Sequence, residues 1–196
     1  LLIVVSILII LAAIAVESYI NAQTRSKISA VKMEMKTLAT GISSYHSDHN
    51  TFPRMAHWEF YGDPELDKVE GQPVAGIMSK VLSTPVAYVS NTQLMDPFMV
   101  QDKLAPFDER TYTYQVLDVY HARNPSSNFW GTAREYYGHW RLGSVGPDQR
   151  FGHLFANSAQ LPYDPTNGTI SAGNLWYSPK GFDSSLPPIP QMLGEH

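Results

Sequence analysis

LLIVVSILIILAAIAVESYINAQTR, residues 1–25, is an oily run that turns polar within its last few positions. Three readings compete: a discarded secretion signal, a membrane anchor, or an element that the mature protein keeps. From Leu1 to Val16 there is no charge, and Ser6 is the only polar side chain, so a helix here is favourable in hydrocarbon at every position. It is short for a span, because residues 1–16 at ~1.5 Å rise reach roughly 24 Å against a bilayer core of ~30 Å. The first residue is Leu rather than Met, with no basic segment ahead of it, which predicts a processed or incomplete start. AAIAVESYINAQ imitates a cleavage site, yet the residues beyond it argue for retention.

From Ile28 the apolar residues Ile28, Val31, Met35, Leu38, Ile42 and Tyr45 recur at alternating spacings of three and four, the stripe of one helical face. Arg25, Lys27, Lys32, Glu34 and Lys36 lie off it. Between Leu1 and Tyr45 there is no proline, and Gly41 is the only glycine, so nothing forces a break. The pattern predicts one helix over residues 1–50, ended by Ser47-Asp48-His49-Asn50 and Pro53. Its segment 24–50 is amphipathic and suited to packing on a domain. Its segment 1–23 is apolar all round and needs lipid or protein on every side. A single-pass anchor with a helical stalk fits this periodicity as well as a packed filament core does.

The remainder, residues 51–196, reads as a β-rich head with an irregular C-terminal tail. Thr111 to Tyr120 and Tyr136 to Leu142 alternate and predict paired strands. Pro85 to Val89 predicts a short edge element or loop anchor, and Val74 to Leu82 a short helix. Gln101 to Glu109 and Asn124 to Thr132 read as loops. A small antiparallel sheet covering the stripe Ile28 to Tyr45 gives an α+β head built on the C-terminal half of the helix.

Composition narrows the function. A net charge of -4 with 16% charged residues offers no basic surface for nucleic acid. The chain has no cysteine, which removes disulfides, thiolate metal sites and thiol nucleophiles. No GxSxG, HExxH or GxxxxGK[ST] motif occurs, and no catalytic residues are expected. His46 and His49, with His57 nearby, raise a zinc site without an evident fourth ligand, so solvated histidines are the plainer expectation. Met33 and Met35 read as packing residues. The 12% aromatic content is accounted for by core and subunit contacts.

The stretch LLIVVSILIILAAIAVESYINAQTRSKISAVKMEMKTLATGISSYHSDHNTFP, residues 1–53, resembles the start of type IV pilins and of the major pseudopilin of type II secretion systems. STPVAYV, DPF, YTYQV and HWRLGSVGPD resemble the pseudopilin-like branch, patchily as far as Trp176; the tail SPKGFDSSLPPIPQMLGEH matches nothing in it. The resemblance implies a leader cleaved by a prepilin peptidase, residence in the cytoplasmic membrane before assembly, and extraction by dedicated machinery. The product would be a homopolymeric filament at the cell surface or spanning the periplasm. Leu1, Leu2, Ile3, Val4, Val5, Ile7, Leu8, Ile9, Ile10, Leu11, Ile14 and Val16 would then bundle as its core. Alternatives are a membrane-tethered binding or enzymatic domain and a minor, tip-located subunit.

Two departures stand out. The family usually carries Phe-Thr-Leu-Ile-Glu ahead of the position of Leu1, which this sequence lacks. It also usually has a proline where Glu17 stands, so the helix is expected to stay better formed there. Arg25 and Lys27 come after the oily run on the side the resemblance places outside, against the positive-inside tendency; a basic leader would resolve the conflict.

SVGPDQRFGHLFANSAQLPYDPTNG, residues 144–168, offers Asp148, Asp164 and Asn167 as oxygen ligands in a curling loop, a composition that suits calcium. Gly-Pro-Asp, Asp-Pro and Asn-Gly are equally turn formers in their own right. The resemblance favours calcium, since major pseudopilins often hold this loop with the ion where pilins use a disulfide. Asn174 stands where an aspartate is commoner among them, which weakens that fit. Asn167-Gly168-Thr169 also fits an N-glycosylation acceptor, with a tight turn as the simpler explanation.

Overall fold

The structure is a computed structural model that describes residues 2–56, 77–78, 80–91, 94–99, 111–123, 125–126, 128–147, 149, 163 and 173–185. Helix α1, Leu2–His49, runs for 48 residues, about 72 Å at the usual rise. It passes unbroken through Glu17, in line with the missing proline. It stops at Asn50, whose φ of 53° turns the chain into the left-handed region while its N–H closes on the His46 carbonyl at 2.8 Å. That is a left-handed C-cap. His46 and His49 occupy the last turn, where the helix dipole favours positive charge.

Short strands β1 (Met55–Ala56) and β2 (Ile77–Met78) pair with each other, and a 3-10 turn comes next at Lys80–Leu82. The main sheet is antiparallel in the order β3 (Thr113–Val116), β4 (Trp140–Ser144), β5 (Leu175–Ser178), β6 (Gly181–Phe182). Between β3 and β4 lie helices α2 (Leu117–Arg123) and α3 (Asn128–Tyr137).

Register explains the layers. Tyr114 faces Leu142 across the β3–β4 ladder and Val116 faces Trp140. These side chains, with Leu175, pack in one core with Val31, Met35, Leu38 and Ile42 of α1. The alternate positions Gln115, Arg141 and Trp176 point to the other face, where Trp176 packs with Leu117, Tyr120, Trp130, Ala133 and Tyr137 of α2 and α3. The sheet is therefore covered on both sides, and β3 and β4 are buried at every residue. The fold is α+β: a long N-terminal helix with a small antiparallel sheet on its C-terminal half.

Several elements differ from the sequence reading. The expected strand at Thr111 to Tyr120 ends at Val116, because the Leu117 and Asp118 amides both turn to the His139 carbonyl and open α2. The spacing of Leu117 and Tyr120 satisfies a helix as well as a strand, and tertiary contact with Trp130 decides it. The supposed loop Asn124 to Thr132 contains the first half of α3, whose buried Trp130, Ala133 and Tyr137 keep helical spacing. Tyr136 and Tyr137 close that helix instead of opening a strand; Gly138, at φ 97°, ends it with its N–H on the Arg134 carbonyl at 2.8 Å. Where Val74 to Leu82 suggested a helix, the described residues form β2 and the 3-10 turn. Pro85 to Val89 is a loop anchor: the Tyr88 and Val89 amides both donate to the Leu82 carbonyl, and Val89 is buried against Gly41. A methyl at Gly41 would run into the Val89 side chain, so this glycine marks a close approach of α1 to the head. Gln101 to Glu109 lies outside the described residues, as does His57.

Candidate functional site

α1 has two environments along a single rod. From Ile28 onward the head covers it: Ile28, Val31, Met35, Leu38 and Ile42 are buried and Tyr45 is packed at their edge. Below Ile28 no described part of the head buries its apolar side chains. Leu2, Ile3, Val4, Val5, Ile7, Leu8, Ile9, Ile10, Leu11, Ile14 and Val16 are all exposed, from 44% at Val5 to 84% at Leu2, and the exposed apolar surface extends to Tyr19 and Ile20. Leu1 lies outside the described residues. α1 is long and apolar enough to cross a membrane, and none of its apolar window is buried within the subunit.

The polar groups of this half are disposed accordingly. The Ser6 hydroxyl donates back to the Leu2 carbonyl at 3.0 Å, so the one polar side chain of the oily run asks nothing of its surroundings. The only charged side chains in residues 1–26 are Glu17 and Arg25, both exposed. Removing each of those aliphatic side chains from water is favourable by ~1.5–3 kcal/mol. Summed, the effect is on the order of 20 kcal/mol, more than the ~5–15 kcal/mol that holds a whole domain together. A surface of this kind does not remain in water.

At the top of α1, two shallow clefts of about 650 Å³ and 490 Å³ lie around Phe52 and share His46, Phe52 and His139. Phe52 is stacked between the two histidines, with ring centroids 4.2 Å and 5.4 Å away. Nδ1 of His139 lies 2.7 Å from the Asp118 carboxylate, which also takes the Arg134 guanidinium. Partial burial opposes ionisation of Asp118, but the hydrogen bonds from Arg134 and His139 hold its carboxyl below the usual carboxylate range. A His–Asp pair invites a search for a nucleophile. Thr40, Ser43 and Ser47, which line the larger cleft, donate their hydroxyls to the carbonyls of Lys36, Ala39 and Ser43 of the same helix. They are thus engaged in the rod rather than aimed at the pair.

Two buried polar groups that the sequence reading passed over organise the head. Asp96, fully buried, accepts the Phe98 amide on Oδ1 and the Val145 amide on Oδ2, both at 3.0 Å. It ties the loop at 94–99 to the exit of β4. Burial pushes its carboxyl up, while hydrogen bonds from Ser144, Phe98 and Val145 pull the other way. Arg141, also buried, donates Nε–H to Gln115 Oε1 at 2.6 Å, and its guanidinium carbon stands 4.1 Å from the Trp176 ring and 4.8 Å from that of Tyr137.

The candidate calcium ligands Asp148, Asp164 and Asn167, the last also the glycosylation candidate, lie outside the described residues. Described residues within and after the stretch 144–168 meet. Gly146, at φ 77°, sits against the Gly173 carbonyl so closely that a side chain would collide with it. The Tyr163 amide donates to the Asn174 carbonyl at 2.9 Å. Among the described residues no group of three or more His, Cys, Asp or Glu is placed to hold a metal ion. Asp96, bonded to Val145 at the loop's entrance, has both oxygens committed to amides.

No protein-family model, no curated protein and no solved structure matches the chain.

Proposed function

We propose that this protein is the structural subunit of a helical filament of the type IV pilin or pseudopilin kind, a homopolymer without catalytic activity. One observation carries the reading: a single helix whose upper half has its apolar stripe buried by its own head and whose residues 2–16 carry no charge and are exposed on every face. Identical rods can satisfy one another, with heads outside and oily segments within. The same segment suits residence in the cytoplasmic membrane before assembly, because lipid tails and leucine-rich helix surfaces are similarly apolar and exchange between them is nearly neutral. The resemblance of residues 1–53 to pilin N-termini supports the same picture, including a prepilin peptidase and assembly machinery as partners.

Electron microscopy of material sheared from the surface of expressing cells tests it. Fibres made of this chain are expected; membrane-bound monomers without fibres would leave the helix as a mere tether. Within this reading we propose that the stretch 144–168 holds calcium through Asp148 and Asp164, with Asn167 assisting. The close approach of Gly146 to Gly173 and the bond from the Tyr163 amide to the Asn174 carbonyl support that assignment. Chelation of the detergent-solubilised chain is expected to lower the Tm of the head by several degrees, as removal of a ligand present at ~100-fold its Kd withdraws about 2.7 kcal/mol. An unmoved Tm rejects the metal.

A further inference from the structure

Glu17 presents a problem that the filament reading does not by itself solve. It is exposed in the uncovered half of α1, with Val16 and Ile20 exposed beside it. When rods pack side by side this carboxylate loses water, which is unfavourable unless a cation meets it. Its own helix provides none: the residues three and four positions away, Ala13, Ile14, Ile20 and Asn21, are uncharged. Its own Arg25 is eight residues on, about 12 Å along the axis and about 80° round the helix, out of reach. The next cations up the rod are turned to the head of the same subunit, with Lys27 Nζ 5.8 Å from the centre of the Phe98 ring and Lys32 Nζ 5.3 Å from that of Phe182. Arg25 is exposed and lies below the first buried residue, Ile28.

Resting on the filament reading, we infer that Glu17 of one copy pairs with Arg25 of a neighbouring copy, and that this pair sets the stagger between adjacent rods at about 12 Å, the axial distance between the two positions. Placing the two charges on different faces of the helix is what a head-to-tail contact requires, since each copy then uses one face to give the carboxylate and another to receive it. Rods at equal height that meet by the same face would instead set Glu17 against Glu17. The stagger thus supplies an attraction and avoids a repulsion in one displacement.

Charge exchange tests the pair. E17R and R25E are each expected to lower filament yield in the sheared fraction by roughly tenfold or more, with membrane levels of the subunit unchanged, and the double variant E17R/R25E to restore it. Single variants that assemble like the parent, or a double variant no better than the singles, overturn the pairing. A second measurement uses the absence of native cysteine. A disulfide cannot span two Cα atoms more than ~7 Å apart, so E17C/R25C cannot close within one chain and is expected to give a ladder of linked oligomers on oxidation. Neither E17C nor R25C alone should link. Dimers of E17C alone mean rods at equal height and overturn the stagger. Parent cells with no fibres sink the filament reading and this pair with it, whereas parent fibres with no recovery of yield in E17R/R25E sink the pair alone.

Discussion

Ile10→Asp is expected to abolish assembly while leaving the head as stable as before. Ile10 stands in the middle of the oily run and is 61% exposed in the single subunit, so changing it removes no core contact of the head. An aspartate at the centre of an apolar helix costs ~2.5–3.5 kcal/mol on insertion scales, and the isoleucine it replaces gave a small gain. The change amounts to a factor on the order of a hundred or more in occupancy of any water-free environment, whether lipid or bundled helices. Two readouts separate this from simple misfolding. The Tm of the detergent-solubilised chain should match that of the parent, because the cores of the head begin at Ile28. Fibre yield and membrane retention should both collapse. Ile10→Leu, which keeps the surface apolar, should behave as the parent. If Ile10→Asp assembles normally, the lower half of α1 is not a water-free contact and the proposed function falls.

The legibility of each element in the sequence depends on what its residues respond to. α1 is legible because its determinants are local: an unbroken run without proline, a three-and-four stripe from Ile28, and a polar stop at Asn50. The split between a covered and an uncovered half is legible too, since hydrophobicity on every face has only two outlets, lipid or protein. The sheet is half legible. Tyr112, Tyr114, Trp140 and Leu142 alternate as strand residues do, but the opposite face is covered by α2 and α3, so inward and outward positions are both buried and alternation ceases to mark the ends. α2 and α3 escape because Leu117, Tyr120, Trp130 and Tyr137 are aromatic or aliphatic residues that suit either period over short spans. The hairpin of β5 and β6 has its signal, Leu175-Trp176-Tyr177-Ser178 before Pro179-Lys180-Gly181, but in sequence its turn merges with the proline-rich tail. Asp96 is partly visible: Asp-Pro-Phe is a turn signature, and Oδ1 does close on the Phe98 amide. Its second bond, to Val145, is 49 residues away and no local pattern announces it. Glu17 and Arg25 each stand out in the sequence, one as a missing proline and the other as a topological oddity; their common meaning needs the finding that the head buries neither.

Arg141 is the residue whose loss should do most damage to the head. Arginine is mostly exposed in folded proteins, yet only 1% of Arg141 is exposed, because Trp176 of β5 lies over Gly143 and α3 closes the same face. Its guanidinium stacks with Trp176 and Tyr137, binds Gln115, and supplies the positive charge that draws on Asp183. Asp183 receives the Tyr137 hydroxyl on Oδ2 at 3.5 Å, while its Oδ1 is buried without a hydrogen-bond partner among the described residues. Burial works against both charges: it lowers the pKa of Arg141 and pushes that of Asp183 up to about 7, with Arg141 and Tyr137 opposing the rise. Arg141→Ala therefore removes the cation that favours ionised Asp183, leaves a glutamine oxygen unpaired and leaves the two rings without their filling. Leaving such buried groups unsatisfied costs ~1–3 kcal/mol each, together enough to lower the Tm of a head of this size by on the order of 10 °C. Arg141→Lys should recover little, since an ammonium can neither lie flat between two rings nor present the same fork. The pH signature comes from the sign of the Asp183 shift. A carboxyl whose folded pKa exceeds its ordinary value of 3.8 favours the folded state in its protonated form. Its contribution is full below about pH 4 and is lost as pH rises toward 7. Melting the parent across that range should show Tm falling, with the fall flattened in Asp183→Asn. In Arg141→Ala, where the opposing cation is gone, the fall should extend to higher pH. The Arg141→Ala/Asp183→Asn double variant should be more stable at pH 7 than Arg141→Ala alone, because its buried carboxylate has been removed along with its partner. If the double is no better than the single, Arg141 stabilises the head through its stacking alone, and the attraction between the two side chains contributes nothing measurable.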